Sequence, residues 1–196
     1  MKIDFSPIDN KEMTMPEFAK QFSIDDLRAA TETSIKTVRG FVEDMTDEQL
    51  TFIPHDPNAN DQAAIEGEEH IGWSLAHLVL HVTASCEEGA AFSSVLARGI
   101  PMGGRLRAEP YWKTVTTKKQ VLHRLEESRR MRLAFLDTWP DEPHLDVFRE
   151  FPEDSRFYNK LDAVASFLFG LKHESGHYEQ LQDARRQAME ATAATG

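Results

Sequence analysis

Between about His70 and Arg98 the chain carries a stretch that, wound as a helix, is apolar on nearly every side: Trp73, Leu75, Leu78, Val79, Leu80, Val82, Phe92, Val95 and Leu96. A helix without a polar face lies among other helices, so this segment predicts a buried centre around which the rest of the chain packs. Two histidines four residues apart, His77 and His81, are set into it, with Glu88 about two turns further along the same side. Imidazole in apolar surroundings costs free energy unless something takes its nitrogens.

Three further segments repeat at helical spacing. Ser23, with Asp26 three residues on, reads as an acidic capping box. Behind it, Ile24, Leu27, Ala30 or Thr31, Ser34 or Ile35, Val38 and Val42 form one apolar stripe that ends near Asp44. Thr46 and Gln49 cap a brief turn; Pro54 and Pro57 then stop regular structure, and residues 54–69 read as a polar loop. Gly99-Ile100-Pro101-Met102-Gly103-Gly104 ends the apolar helix and opens a connection through Arg105, Arg107 and Pro110. Thr117 with Gln120 starts a third long helix, which turns Val121, Leu125, Met131 or Arg132, and Phe135 inward and stops before Pro140. Residues 140–159, with Pro143 and Pro152, cross over to a last helix that begins at Asn159 or Lys160 and runs to about Glu190. With no strand alternation, four long helices predict an all-α four-helix bundle with long crossover connections.

The 196 residues suffice for one domain. It divides into a lead-in of loosely packed coil over 1–22, the bundle over 23–190 and a fraying tail over 191–196. A formal charge of −11 argues against nucleic acid as a partner. No apolar run approaches the ~20 residues that span a bilayer, and no basic amphipathic stretch suggests a membrane surface. The N-terminus lacks the apolar core of a secretion signal. The single cysteine, Cys86, suits a reducing cytoplasm and reads as a small buried residue.

On the last helix, Ala163, Ser166, Gly170, His173, His177, Leu181 and Ala184 fall on one inward stripe. Its small members permit close helix approach. His173 and His177 repeat the four-residue spacing of His77 and His81, which stacks two imidazoles one turn apart facing the same way. Two such pairs on buried helices point to a metal site of the kind bundle cores build. Imidazole nitrogen suits zinc, nickel, copper or ferrous iron.

His173-Glu174-Ser175-Gly176-His177 also matches the H-E-x-x-H pattern of zinc peptidases, whose glutamate is the general base. That chemistry needs a third ligand further along the chain and a substrate-aligning strand. Glu179 and Glu190 are the carboxylates beyond His177, on the same helix, and no edge strand precedes it. Glu174 sits about 100° round the helix from His173 and reads as a flanking carboxylate, or one that supports the ligands from behind.

Three segments together resemble the DinB/YfiT-like family of four-helix-bundle metalloproteins over roughly Ile24 to Arg186. They are Asp47-Glu48-Gln49-Leu50-Thr51-Phe52-Ile53-Pro54, the Trp73-led run through His77 and His81 to Ser85, and His173 to His177 followed by Tyr178-Glu179-Gln180-Leu181. The resemblance implies a divalent metal, zinc or nickel first, held by His81, His173 and His177. His77 is the fallback ligand, or a group behind the ligands or against substrate. It also implies a small-molecule substrate and a homodimer. Family members include mycothiol-dependent isomerases and bacillithiol- or glutathione-type S-transferases, so a low-molecular-weight thiol is the expected co-substrate. Arg105 and Arg107 become candidates to hold its carboxylates. The competing expectations are the zinc peptidase and a non-catalytic, stress-linked bundle that binds a ligand or a partner.

Overall fold

The computed structural model describes residues 1–61, 64–150 and 160–194. Two short helices, α1 (Ser6–Asp9) and α2 (Met15–Ala19), precede the long α3 (Ile24–Val42). A single turn, α4 (Asp47–Thr51), leads through an irregular loop to α5 (Leu75–Ala97), and α6 (Lys118–Asp137), α7 (Ala163–Gly176) and α8 (Tyr178–Ala193) complete an all-α bundle. The capping boxes at Ser23–Asp26, Thr46–Gln49 and Thr117–Gln120 are formed as their spacing predicts. The stripe from Leu27 to Val42 is buried. On α6 the inward residue of the ambiguous pair is Arg132, fully buried, whereas Met131 is exposed.

Helix α5 is the centre its composition demands, packing chiefly against α7 and α6. Two apolar clusters meet along it: one joins Leu75, Val79 and Val82 to Val38, Leu125 and Leu181, the other joins Cys86 and Ala90 to Leu27, Phe167 and Leu168. None of the described helices is long and apolar enough to cross a membrane.

Four features differ from the sequence reading. Helix α5 starts at Leu75 rather than His70, because the Ser74 hydroxyl accepts the His77 N–H at 3.2 Å and fixes the cap there. The last helix starts at Ala163, where the Asp162 carboxylate accepts the Ala165 N–H at 2.8 Å. Lys160 is outside it, and Asn159 and Pro152 fall outside the described residues. That helix is also interrupted at His177, with φ −96° and ψ 0°, which separates α7 from α8. Finally, residues 1–22 are not a loose coil: Phe5, Met15, Phe18 and Ala19 are buried beside Leu161, Val164 and Leu168, and α2 packs against α7. A two-residue parallel pairing, β1 (Met102–Gly103) with β2 (Arg149–Glu150), ties the two long connections together.

The small residues of α7 are there because α5 lies almost against its backbone. A Cβ on Gly170 would fall 2.8 Å from Cys86 Cα and 2.9 Å from the Ser85 carbonyl oxygen, and one on Gly89 would fall 2.7 Å from the Ser166 carbonyl oxygen. Backbone cannot yield as a flexible side chain does. Gly170→Ala is therefore expected to cost about 1–3 kcal/mol by overpacking, read as a lowered urea midpoint; an unchanged midpoint would show that the helices can separate freely.

Candidate metal centre

The close approach of α5 and α7 brings His81 opposite the end of α7. His173 Nε2 lies 3.0 Å from His81 Nε2 and 3.3 Å from His177 Nε2. One nitrogen from each of the three rings falls within 4.8 Å of the others. Ligands 2.0–2.1 Å from a tetrahedral ion stand about 3.3 Å from one another, so these separations fit a three-histidine set. Gln180 Oε1 lies 2.8 Å from His177 Nδ1. An amide oxygen accepts, so it places the His177 proton on Nδ1 and turns the Nε2 lone pair toward His173. Three histidines arranged in this way can hold a metal ion.

Burial, aided by the neighbouring imidazoles and Arg107, pushes His173 down to about 3. Burial likewise lowers His177, against the opposing hydrogen bond to Gln180. Both rings are thus neutral at ordinary pH, the form that ligates. The same shifts link the site to stability. A histidine with a depressed folded pKa binds fewer protons folded than unfolded, so stability rises with pH between the folded value and about 6.5. The metal-free protein is expected to lose thermal stability as pH falls from 7 toward 4, and His173→Gln to flatten that dependence. Equal slopes in the two proteins would contradict the assignment.

His77 stands apart. Its Nε2 is 3.8 Å from Glu109 Oε1, its ring stacks parallel to Trp112 at 5.4 Å, and burial lowers it to about 4. It does not join the ring nitrogens of the cluster. Trp73 packs on His77, His81 and His177 at centroid distances of 4.7, 4.3 and 5.9 Å and walls the cluster.

Glu174 faces away from the histidines. Its carboxylate is fully buried, accepts from the Ser34 hydroxyl at 2.6 Å and the Tyr178 hydroxyl at 2.8 Å, and pairs with fully buried Arg132 at 3.3 Å. One residue and about 100° round the helix from His173, it enters the core toward Ser34 and Arg132. The general base of a peptidase could not act from there.

The connection after β1 supplies the remaining polar groups. Glu88 does not reach the cluster; it accepts the Leu106 N–H at 2.9 Å and pairs with Arg149 at 3.4 Å, which pins this loop to α5. Arg107 Nη2 then lies 2.7 Å from His81 Nδ1 and 2.9 Å from the His81 carbonyl oxygen, and it pairs with Glu109 at 3.0 Å. Arg105 is exposed. It lines a recess of about 210 Å³ together with His77, His81, Glu109, Trp73 and Trp112. Glu68 accepts from Tyr111, Trp112 and Lys113 and holds the outer wall of that recess. His173 and His177 face a separate groove bordered by Met13, Lys160, Phe169 and Lys172.

The model of the DinB superfamily matches residues 30–181. The chain belongs to the DinB superfamily. No curated protein and no solved structure matches it. In this DinB-superfamily bundle, sequence reasoning brought together His81, His173 and His177 but missed Glu109, Trp112 and the role of Gln180. Nothing in their spacing ties Arg107 or Glu109 to α5, because the tie runs through Glu88 and the loop backbone. Gln180 stands three residues after His177, close enough for its side chain to reach the imidazole.

Proposed function

We propose that this DinB-superfamily protein is a metal-dependent enzyme acting on a small-molecule substrate in the manner of an S-transferase. His81, His173 and His177 hold a divalent ion, zinc or nickel. The convergence of three Nε2 atoms at ligand spacing beside an accessible recess carries this reading. A divalent ion there supplies Lewis-acid chemistry, lowering the pKa of a low-molecular-weight thiol or a water that reaches it.

The chain's own residues do the rest. Gln180 sets the His177 proton. Glu109 lines the recess, and although burial pushes its pKa up, its contacts with His81 and Arg107 hold it below the usual carboxylate value. Arg105 can meet an anionic group of the ligand, whereas Arg107 is already engaged by Glu109 and His81. Trp73, Tyr111 and Trp112 give the recess its aromatic wall.

The test is metal analysis of the purified protein, followed by turnover assays. About one divalent ion per chain is expected, with metal-dependent conversion of an electrophile such as chlorodinitrobenzene by one of glutathione, mycothiol or bacillithiol. A fully loaded protein that turns over neither with these thiols nor with water would overturn the enzymatic reading.

A further inference from the structure

His81 Nδ1 stands between two groups that make opposite demands on it. Arg107 Nη2, 2.7 Å away, can only donate, and so requires a bare Nδ1. Glu109 Oε2, 3.4 Å away, can only accept as a carboxylate, and so requires an N–H there. A neutral imidazole has one proton for its two nitrogens. With Arg107 satisfied, that proton is on Nε2 and donates to His173 Nε2 at 3.0 Å. An ion on Nε2 sends the proton to Nδ1, where it meets Glu109 as an acceptor and Arg107 as a second donor.

We propose that Arg107 and Glu109 are opposed positioning residues of the metal centre: Arg107 holds His81 in the tautomer that cannot ligate, and Glu109 holds it in the one that can. Metal uptake then breaks the Arg107 contact to Nδ1. The two Nη2 protons of Arg107, shared among three acceptors in the metal-free protein, then go to the His81 carbonyl oxygen at 2.9 Å and Glu109 at 3.0 Å, so the exchange leaves no stranded charge. The proton moves within one imidazole, from Nε2 to Nδ1, and none is gained or lost. The inference rests on the metal reading above and deepens it.

Zinc affinity, measured by competition with a chromophoric chelator, reads the proposal directly. Glu109→Ala is expected to weaken zinc binding about 10–100-fold. Glu109→Gln keeps an acceptor oxygen and should stay within a few-fold of wild type. Arg107→Met should tighten binding. A simple effect of charge would make Glu109→Gln as weak as Glu109→Ala, and that result would overturn the proposal, as would weaker binding by Arg107→Met. Long-range proton–nitrogen NMR of His81 gives a second readout: Nε2–H in the metal-free protein and Nδ1–H with zinc bound. Nδ1–H in both states would overturn it equally. Wild type that binds zinc while the variants fail to split in this way removes this inference alone; zinc absent from wild type and from Arg107→Met removes the metal centre with it.

Discussion

Glu174→Ala is expected to destabilise the protein by about 3–5 kcal/mol, because it strands a charged Arg132 in the core. Arg132 is fully buried, and its remaining partners are the hydroxyls of Ser34, at 2.8 Å, and Ser128, at 3.0 Å. Hydroxyls solvate a guanidinium poorly compared with a carboxylate. Tyr178, whose phenol donates to Glu174 at 2.8 Å, would also lose its acceptor. Urea unfolding measures the loss. A double replacement, Glu174→Leu with Arg132→Met, should recover much of it, since exchanging both charges for apolar groups removes the stranded ion. A further variant, Glu174→Gln, separates two chemistries. If Glu174 were a peptidase base, Glu174→Gln would abolish activity at native stability; the buried pair predicts that stability changes first and that the histidines keep their metal.

The second large effect is loss of the ion itself. Zinc at one hundred times its dissociation constant should stabilise wild type by about 2.7 kcal/mol, a rise in melting temperature of roughly 5–10 °C for a chain of this size. His173→Ala and His177→Ala should retain no ion after dialysis and show no zinc-dependent rise. His77→Ala should behave as wild type in this measurement, since its ring nitrogens lie outside the converging set. A zinc-dependent rise that survived His173→Ala but vanished in His77→Ala would move the centre one turn along α5.

Most of the bundle could be read from the sequence because its signals are local. Caps three residues apart, a stripe at helical spacing and a helix without a polar face each specify their own element. His173 and His177 were legible for a related reason, since they stand four residues apart, whereas the choice of His81 over His77 came from the family resemblance and not from spacing. What escaped depended on packing between distant segments. Phe5, Met15 and Phe18 lie scattered among polar residues, and nothing nearby shows that α7 offers them an apolar surface. Arg132 and Glu174 read separately as an ambiguous helix residue and a flanking acid; their pairing joins α6 to α7 across the core. Glu109 has no periodicity to betray it, because a loop residue takes its position from where the loop is fastened.

The contact of α5 with α7 has a mechanical consequence. Where Gly89 and Gly170 meet the opposite helix, backbone rests on backbone, so no rotamer change can widen or narrow the gap. His81 and His173 are mounted on the two sides of that contact and behave like the jaws of a fixed-gauge caliper. An ion that fits needs little ordering of the frame before it binds, and one of the wrong radius cannot draw the helices to its own size. Discrimination among metals in this protein would then come from the stiffness of two glycine contacts that never touch the ion.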